Sequence, residues 1–208
     1  MKILCISDKI SEIIYSNNLV KRFNDIDLIL SCGDLPFHYY EFIMSTLNKP
    51  LYYVMGNHEP EKLSKQKSVF DKFDTKNITG KIINFNGIII GGLSNCKKLG
   101  IEAEFETTEM GQQFCIYKML PKLWINKIFQ KRYIDILISH SPPLDKNDDS
   151  TDYYHSGFKA YTKFLDKYMP KYHIHGHIHL YDKNQNRIKQ YKKTTIINAY
   201  EYYVLEIK

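Results

Sequence analysis

Three histidines occupy alternate positions in the last part of the sequence, at His175, His177 and His179. In an extended segment, side chains at alternate positions lie on one face, so these imidazoles could converge. Imidazole is a common ligand of divalent metals. Gly176 allows the backbone to turn or to approach another group closely. The run indicates either a metal site or a histidine-rich strand end, and His175 is interpreted as a supporting residue rather than a ligand.

The elements that must position these histidines follow from the apolar pattern of the chain. Continuous apolar segments, typical of strands in a parallel sheet covered on both faces, span residues 2–7, 28–32, 51–55, 134–138 and 172–174. Helices are predicted over 11–23 with Ser11 as N-cap, over 39–47, over 109–132 with an interruption at Pro121, and over 157–168. The pattern also predicts a loop with a short helix over 60–80 and a hairpin at Asn86-Gly87. Two closing strands are predicted over 195–198 and 202–207, and we expect them to form a separate antiparallel group.

Polar residues follow the predicted strands and form one set. Its members are Asp8, Asp34, Asn57 with the adjacent His58, His140, His177 and His179. Because ligands bind at the carboxyl ends of strands in α/β sheets, we expect these side chains to lie together. Carboxylate, carboxamide and imidazole ligands in this mixture suit Mn²⁺, Fe²⁺ or Zn²⁺ better than Ca²⁺ or Mg²⁺ alone. The set is too large for one tetrahedral site and is large enough for two ions that share a carboxylate.

Each of these residues also has a structural explanation. Asp8 and Asp34 could cap the helices that follow them, and Asn57 could serve a turn. His140 could be a buried, hydrogen-bonded histidine. What favours a metal centre is the ordered set on successive strand ends.

The set resembles the motifs of the calcineurin-like metallophosphoesterase superfamily. Its pattern appears here, over residues 8–179, as Gly33-Asp34, Gly56-Asn57-His58-Glu59, Ser139-His140 and Gly176-His177-Ile178-His179. The resemblance implies an α/β fold in which two sheets form a sandwich with helices on both outer faces and the metal site at the carboxyl ends of the strands. It also implies one domain over residues 1–208, in which 97–132 is a candidate cap insertion.

The resemblance further implies a role for each residue. Asp34 would bridge two divalent ions. Asn57, His140 and His177 would complete one site, and Asp8 and His179 would belong to the other. His58, beside Asn57, would assist the leaving group while a metal-bridging hydroxide attacks a phosphodiester or phosphomonoester. Asp152 and His155 resemble a segment found in some family members and are candidate substrate contacts, although a solvated loop explains them equally well.

The first motif departs from the family pattern. The family has Asp-x-His, and this sequence has Asp8-Lys9-Ile10. Isoleucine cannot bind a metal, so the site of Asp8, Asp34 and His179 is expected to bind its ion more weakly. The departure leaves a second hypothesis open, a scaffold or binding protein with a degraded metal site on the same fold. A third hypothesis is a nuclease that acts on single-stranded ends.

Bulk properties narrow the class of protein and partner. The chain has 208 residues, 43% of them hydrophobic, and a formal charge of +6. It contains no apolar run of about 18 residues, so neither a membrane span nor a membrane partner is expected. The four cysteines form no C-x-x-C pair, which favours reduced thiols and a cytoplasmic location. The lysines are scattered, which favours a small phosphate ester over nucleic acid as the substrate. The oligomeric state is not predicted.

Overall fold

Two β-sheets lie between layers of helices in the computed structural model, which describes residues 1–58, 75–97, 106–146, 148, 155–181 and 186–207. The strands are β1 (Lys2–Ser7), β2 (Leu28–Ser31), β3 (Leu51–Tyr53), β4 (Thr75–Asn77), β5 (Ile82–Phe85), β6 (Ile88–Leu93), β7 (Cys96–Lys97), β8 (Glu106–Thr107), β9 (Ile136–Ser139), β10 (Tyr172–His175), β11 (Ile188–Tyr191), β12 (Thr194–Asn198) and β13 (Glu201–Glu206). The helices are α1 (Leu19–Phe23), α2 (Phe37–Leu47), α3 (Glu109–Gln130) and α4 (Lys159–Tyr168).

The two large sheets are mixed and have parallel centres. The first has the order β13-β1-β2-β3-β4, in which only β13 is antiparallel to its neighbour. The second has the order β11-β12-β10-β9-β6-β5, with antiparallel strands at both edges. Strands β7 and β8 form a separate parallel pair. The parallel centres bring the carboxyl ends of β1, β2 and β3, and those of β9 and β10, to one edge of each sheet.

Three apolar layers hold these elements together. Side chains of β1 alternate, so that Ile3 packs between the two sheets while Leu4 packs under α1 and α2. The second sheet packs on the first through residues such as Ile136 and Ile174. Its other face is covered by α3 and α4. The fold is therefore an α/β sandwich of two sheets with helices on both outer faces, and the fold class expected from the sequence is confirmed.

The helix expected over residues 11–23 is wrong in its first half, because α1 spans only Leu19–Phe23. The preceding residues form a turn in which the Ile14 N–H donates to the Ser11 carbonyl at 3.1 Å. The Ser-Asn-Asn segment at 16–18 explains the difference, since these side chains compete with helical hydrogen bonds and favour turns.

The interruption expected at Pro121 is also wrong, because α3 is one continuous helix. Proline lacks the N–H that would donate to the carbonyl four residues earlier, at Tyr117. Both residues are exposed, so water can hydrogen-bond that carbonyl and lower the cost of the proline.

The sequence indicated that the two closing strands form a separate antiparallel group, and this expectation is wrong. Strand β12 pairs with β10 in parallel, whereas β13 crosses to the first sheet and pairs with β1. The chain passes between the sheets at Tyr200 and at Glu201, which adopts a left-handed conformation with φ of 62°. Both strands are apolar enough for either sheet, so composition alone does not assign them.

Two other expectations fall partly outside the described residues. Of the loop predicted over 60–80, residues 75–77 form the polar edge strand β4, and residues up to 74 are not described. The helical part of the cap predicted over 97–132 packs on the second sheet as α3. Residues 98–105 are not described, so the cap stays a prediction. Within the described chain, no helix is both long and apolar enough to cross a bilayer.

Candidate metal centre

Three of the expected ligands lie within three residues of the end of a strand and share an uncommon backbone conformation. Asp8, Asp34 and His177 have positive φ values of 64°, 59° and 66°. Residues other than glycine rarely adopt this region, because the Cβ atom crowds the backbone. Each such residue costs on the order of 1 kcal/mol, and the same conformation also occurs outside the site, for example at the helix C-caps Asn48 and Met169. The turns that follow β1, β2 and β10 are therefore maintained against a local energetic cost.

The motif glycines make room for the two carboxylates. A Cβ at Gly56 would overlap Asp34 Oδ1, and a Cβ at Gly176 would overlap Ser7 Oγ and lie 2.6 Å from Asp8 Oδ2. At Gly33, where φ is 98°, a Cβ would lie 2.5 Å from the backbone nitrogen of Gly56. Gly33 and Gly56 thus allow the ends of neighbouring strands β2 and β3 to approach closely, and Gly176 allows the end of β10 to approach that of β1 in the other sheet.

The variant Gly176→Ala is expected to weaken binding of the first Mn²⁺ at least about tenfold, because the new methyl group must displace Ser7 and the Asp8 carboxylate. Isothermal titration calorimetry measures this affinity. The matched control is Gly87→Ala, where a Cβ has open space around it. The control is expected to lose some stability from its φ of 87° but to bind Mn²⁺ normally. Equal affinity in both variants would contradict the role given to Gly176.

Backbone N–H groups hold the two carboxylates in place. The His177 N–H donates to both oxygens of Asp8, at 2.9 and 3.1 Å. The His58 N–H donates to Asp34 Oδ1 at 2.8 Å. The Asp8 N–H donates to the Gly33 carbonyl at 3.1 Å and so ties the first two strand ends together. Burial raises the pKa of the Asp8 carboxyl, and nearby His140 and a hydrogen bond from Ser7 act in the opposite direction.

His140 is fully buried and its ring orientation is set by one carbonyl. Its Nδ1 lies 2.8 Å from the carbonyl oxygen of Cys32, which can only accept, so Nδ1 carries a proton and donates. In the neutral ring, Nε2 then presents a lone pair. It lies 2.7 Å from Asn57 Oδ1 and 3.4 Å from Asp34 Oδ2. With Asn57 in this orientation, a lone pair that faces two oxygens fits a cation between them.

The donor set fits a divalent cation. Among the described residues, ligand atoms of Asp8, Asp34 and His140 all lie within 4.8 Å of one another. Asn57 Oδ1 adjoins this group through His140. The His177 ring is close as well, with its centroid 4.9 Å from that of His140. Oxygen and imidazole donors in this mixture suit the borderline divalent metals.

His179 is not a member of that three-residue group. Its side chain is exposed, and its ring centroid is 5.0 Å from that of Tyr200 and 6.0 Å from that of Tyr181. Ile10 is partly buried and packs against the apolar layer under α1 and α2. The position that holds a histidine in the family motif therefore contributes to the core in this chain. The assignment of His179 to a second metal site stays a prediction.

The remaining expected residues are placed as follows. The side chain of His58 is exposed, and its backbone contacts Asp34. The ring of His155 lies 5.1 Å from that of His177, so this loop residue reaches the site. His175 is buried, its Nδ1 lies 2.9 Å from the Gly176 carbonyl, and burial lowers its pKa to about 4. Asp152 lies outside the described residues.

Tyr200 borders the site and was missed in the sequence. It forms a bridge with Ser7, and its ring lies beside His179 and, at 6.0 Å, the Lys9 ammonium group. Lys9 in turn pairs with Glu201 at 2.5 Å. Tyr200 follows β12 in the same way that the expected ligands follow their strands. A search for polar residues after every strand would have found it.

Comparisons with known proteins agree with this geometry. The family model for calcineurin-like phosphoesterases matches residues 1–181. One solved structure superposes with a TM-score of 0.69, at 13% identity, over 98% of this chain and 94% of its own. TT1561 of Thermus thermophilus has a TM-score of 0.67, at 16% identity, over 96% of this chain and 89% of its own.

A third solved structure is GAP50, the anchor in the inner membrane complex of Plasmodium. Its TM-score is 0.55, at 11% identity, over 95% of this chain and 70% of its own. At these identities the three structures show the fold alone. No curated protein matches the sequence significantly. Because the family model covers most of the chain, and the motif residues meet at the strand ends of the matching fold, the protein belongs to the calcineurin-like phosphoesterase family.

Proposed function

We propose that the protein is a metal-dependent hydrolase of small phosphate esters, either phosphodiesters or phosphomonoesters. The observation that carries the proposal is the convergence of Asp8, Asp34 and His140 within 4.8 Å in a member of the calcineurin-like phosphoesterase family. Asn57 and His177 are proposed to complete the first ion's ligands. A second ion is proposed at Asp8, Asp34 and His179, with lower affinity because Ile10 offers no ligand.

The residues around this centre support hydrolysis in distinct ways. When bound, divalent ions supply activation of water and positive charge for the phosphoryl oxygens. The Cys32 carbonyl keeps the His140 ring in one tautomer, and backbone N–H groups keep both carboxylates in one orientation. His58 is exposed beside Asp34, where it can donate a proton to the leaving oxygen. His155 is proposed as a substrate contact at the edge of the site.

The proposal is tested with purified protein, Mn²⁺ and two chromogenic substrates, bis(p-nitrophenyl) phosphate and p-nitrophenyl phosphate. We expect metal-dependent turnover of the diester that EDTA abolishes and added Mn²⁺ restores. The variant His38→Ala removes an exposed histidine on α2 and serves as a control, which should retain full activity. Protein that binds Mn²⁺, Fe²⁺ or Zn²⁺ but hydrolyses neither ester would contradict the proposal.

The alternative of a scaffold with a degraded metal site rests on Ile10, whose side chain belongs to the core. The two candidates differ in metal content. Calorimetry that shows no ion at saturating Mn²⁺ would favour the scaffold. At least one tightly bound ion together with turnover would favour the hydrolase.

A further inference from the structure

Helix α3 has two apolar faces, and the described residues of the chain cover only one of them. Ile116, Met119 and Leu123 are buried against the second sheet and α4. On the opposite side of the helix, apolar side chains project into solvent. These side chains, named here the outer face of α3, are Met110, Phe114, Tyr117, Trp124, Ile125, Ile128 and Phe129.

The exposure of the outer face is large for a protein surface. Its members are between 48% and 79% exposed, and the highest values belong to Met110 and Phe129. At 100° per residue, they cluster on one stripe that runs the length of the helix, opposite the buried residues. Their combined exposed area is on the order of several hundred Å², a size that marks interaction sites.

Basic residues border the outer face on both sides. Lys118 and Lys122 lie along one side of the stripe and Lys127 along the other, and all three are exposed. A groove of about 240 Å³ between α3 and α4 adds Lys163 and Lys167, which line it together with Tyr117 and other residues. The stripe is therefore apolar at its centre and positively charged at its margins.

Acidic residues near the outer face already have partners. Glu109 is the only acid of α3, and its carboxylate accepts the N–H groups of Lys159 and Ala160 at 2.8 and 3.0 Å. Beyond the helix, Asp135 pairs with Arg132 at 2.7 Å, and Asp166 pairs with Lys192 at 2.5 Å. Asp135 and Asp166 are consequently compensated by Arg132 and Lys192, and the single charge of Glu109 is outnumbered by the lysines at the margins.

We propose that the outer face of α3 binds the surface of an anionic phospholipid bilayer. The aromatic and aliphatic side chains would enter the interfacial region, and the bordering lysines would contact lipid phosphates. A second copy of the chain is a poorer partner, because its outer face would bring lysines against lysines, and the acids described around that face are already engaged. The absence of a long apolar run led us to expect no membrane partner, but surface binding needs only the exposure of this stripe.

The chain provides its own reporter of binding, because its single tryptophan, Trp124, lies on the outer face and is 48% exposed. With phosphatidylcholine vesicles that contain phosphatidylserine, its fluorescence should shift to shorter wavelength and be quenched by brominated acyl chains. Pure phosphatidylcholine vesicles should bind at least about tenfold more weakly, and added salt should weaken binding to the anionic vesicles. No shift and no quenching with anionic vesicles would overturn the proposal.

Variants distinguish binding through the outer face from non-specific adsorption to vesicles. The double variant Ile128→Ser with Phe129→Ser should bind anionic vesicles at least about tenfold more weakly in co-sedimentation. The matched control is Val20→Ser, which removes a 48% exposed apolar side chain from α1 and should bind normally. Equal losses in both variants would overturn the proposal. So would light scattering that shows a dimer which the double variant dissociates. If the double variant fails to fold, quenching of Trp124 in the unaltered protein still tests whether the outer face binds the bilayer.

Lys122→Gln tests the electrostatic part. One lysine near an anionic surface should account for about a fivefold change in vesicle affinity. Lys21→Gln, on α1, is the matched control and should change the affinity little. Stronger dependence on Lys21 than on Lys122 would move the binding surface to the other outer layer and overturn the assignment to α3.

Discussion

Asp34→Asn is expected to lower metal-dependent hydrolysis at least about 10³-fold, because metal ions contribute several kcal/mol of transition-state stabilisation. Asp34 Oδ1 accepts the His58 N–H at 2.8 Å, and Oδ2 lies 3.4 Å from His140 Nε2. Asparagine keeps the size of the side chain and the oxygen that can accept from His58. It removes the negative charge that would hold a divalent cation at this position. Metal affinity and kcat/KM should therefore fall together.

The control for this variant is Asp166→Asn, which changes an exposed aspartate that pairs with Lys192 far from the strand ends. It should leave kcat/KM for bis(p-nitrophenyl) phosphate and the Mn²⁺ titration unchanged. Metal-free Asp34→Asn should be as stable as the unaltered protein or more so, because the like charge beside Asp8 is removed. Normal Mn²⁺ binding by Asp34→Asn would show that Asp34 is not a ligand.

The central strands and the site at their ends were predictable because both depend on local patterns. Continuous apolar runs identified β1, β2, β9 and β10, and a polar residue followed each of them. The carboxyl ends of parallel strands meet at one edge of a sheet, which explains why Asp8 and Asp34 lie together. His140 follows β9 in the other sheet, so its approach to them also depends on how the two sheets pack. Turn glycines such as Gly56 marked the same positions.

What failed depended on contacts that are distant in sequence. The assignment of β12 and β13 to different sheets follows from pairing with β10 and β1, which no local pattern encodes. The short edge strand β4 is polar and shows no alternation, so it has no sequence signal. The continuity of α3 depends on Pro121 facing solvent, and the exposure of Phe129 depends on which face of α3 packs. Apolar residues on both sides of a helix look the same in sequence.

In the candidate site too, some features follow from the sequence and others became visible only with the fold. The motif identified the neighbourhood of His179, but the exposure of this side chain beside Tyr200 became visible only with the fold. Likewise, Ile10 was recognisable as the absence of a ligand. A motif does not show that this side chain packs against the core under α1 and α2. Sequence patterns locate ligand positions, whereas the direction of each side chain depends on its packing partners.

His58→Ala is expected to lower kcat about 10²- to 10⁴-fold, the usual contribution of a general acid, while the Mn²⁺ affinity stays unchanged. The Mn²⁺ affinity should stay unchanged because His58 contacts Asp34 through its backbone N–H, which alanine retains. The exposed imidazole would supply only the proton for the leaving oxygen. Calorimetry with Mn²⁺ and steady-state kinetics on the same preparation measure the two quantities.

The leaving group distinguishes proton donation from other roles of His58. p-Nitrophenolate leaves readily without a proton, whereas an alkoxide needs one, so the loss in kcat should be larger for an alkyl phosphodiester than for bis(p-nitrophenyl) phosphate. An equal loss for both leaving groups would mean that His58 stabilises bound phosphate and does not protonate the leaving oxygen.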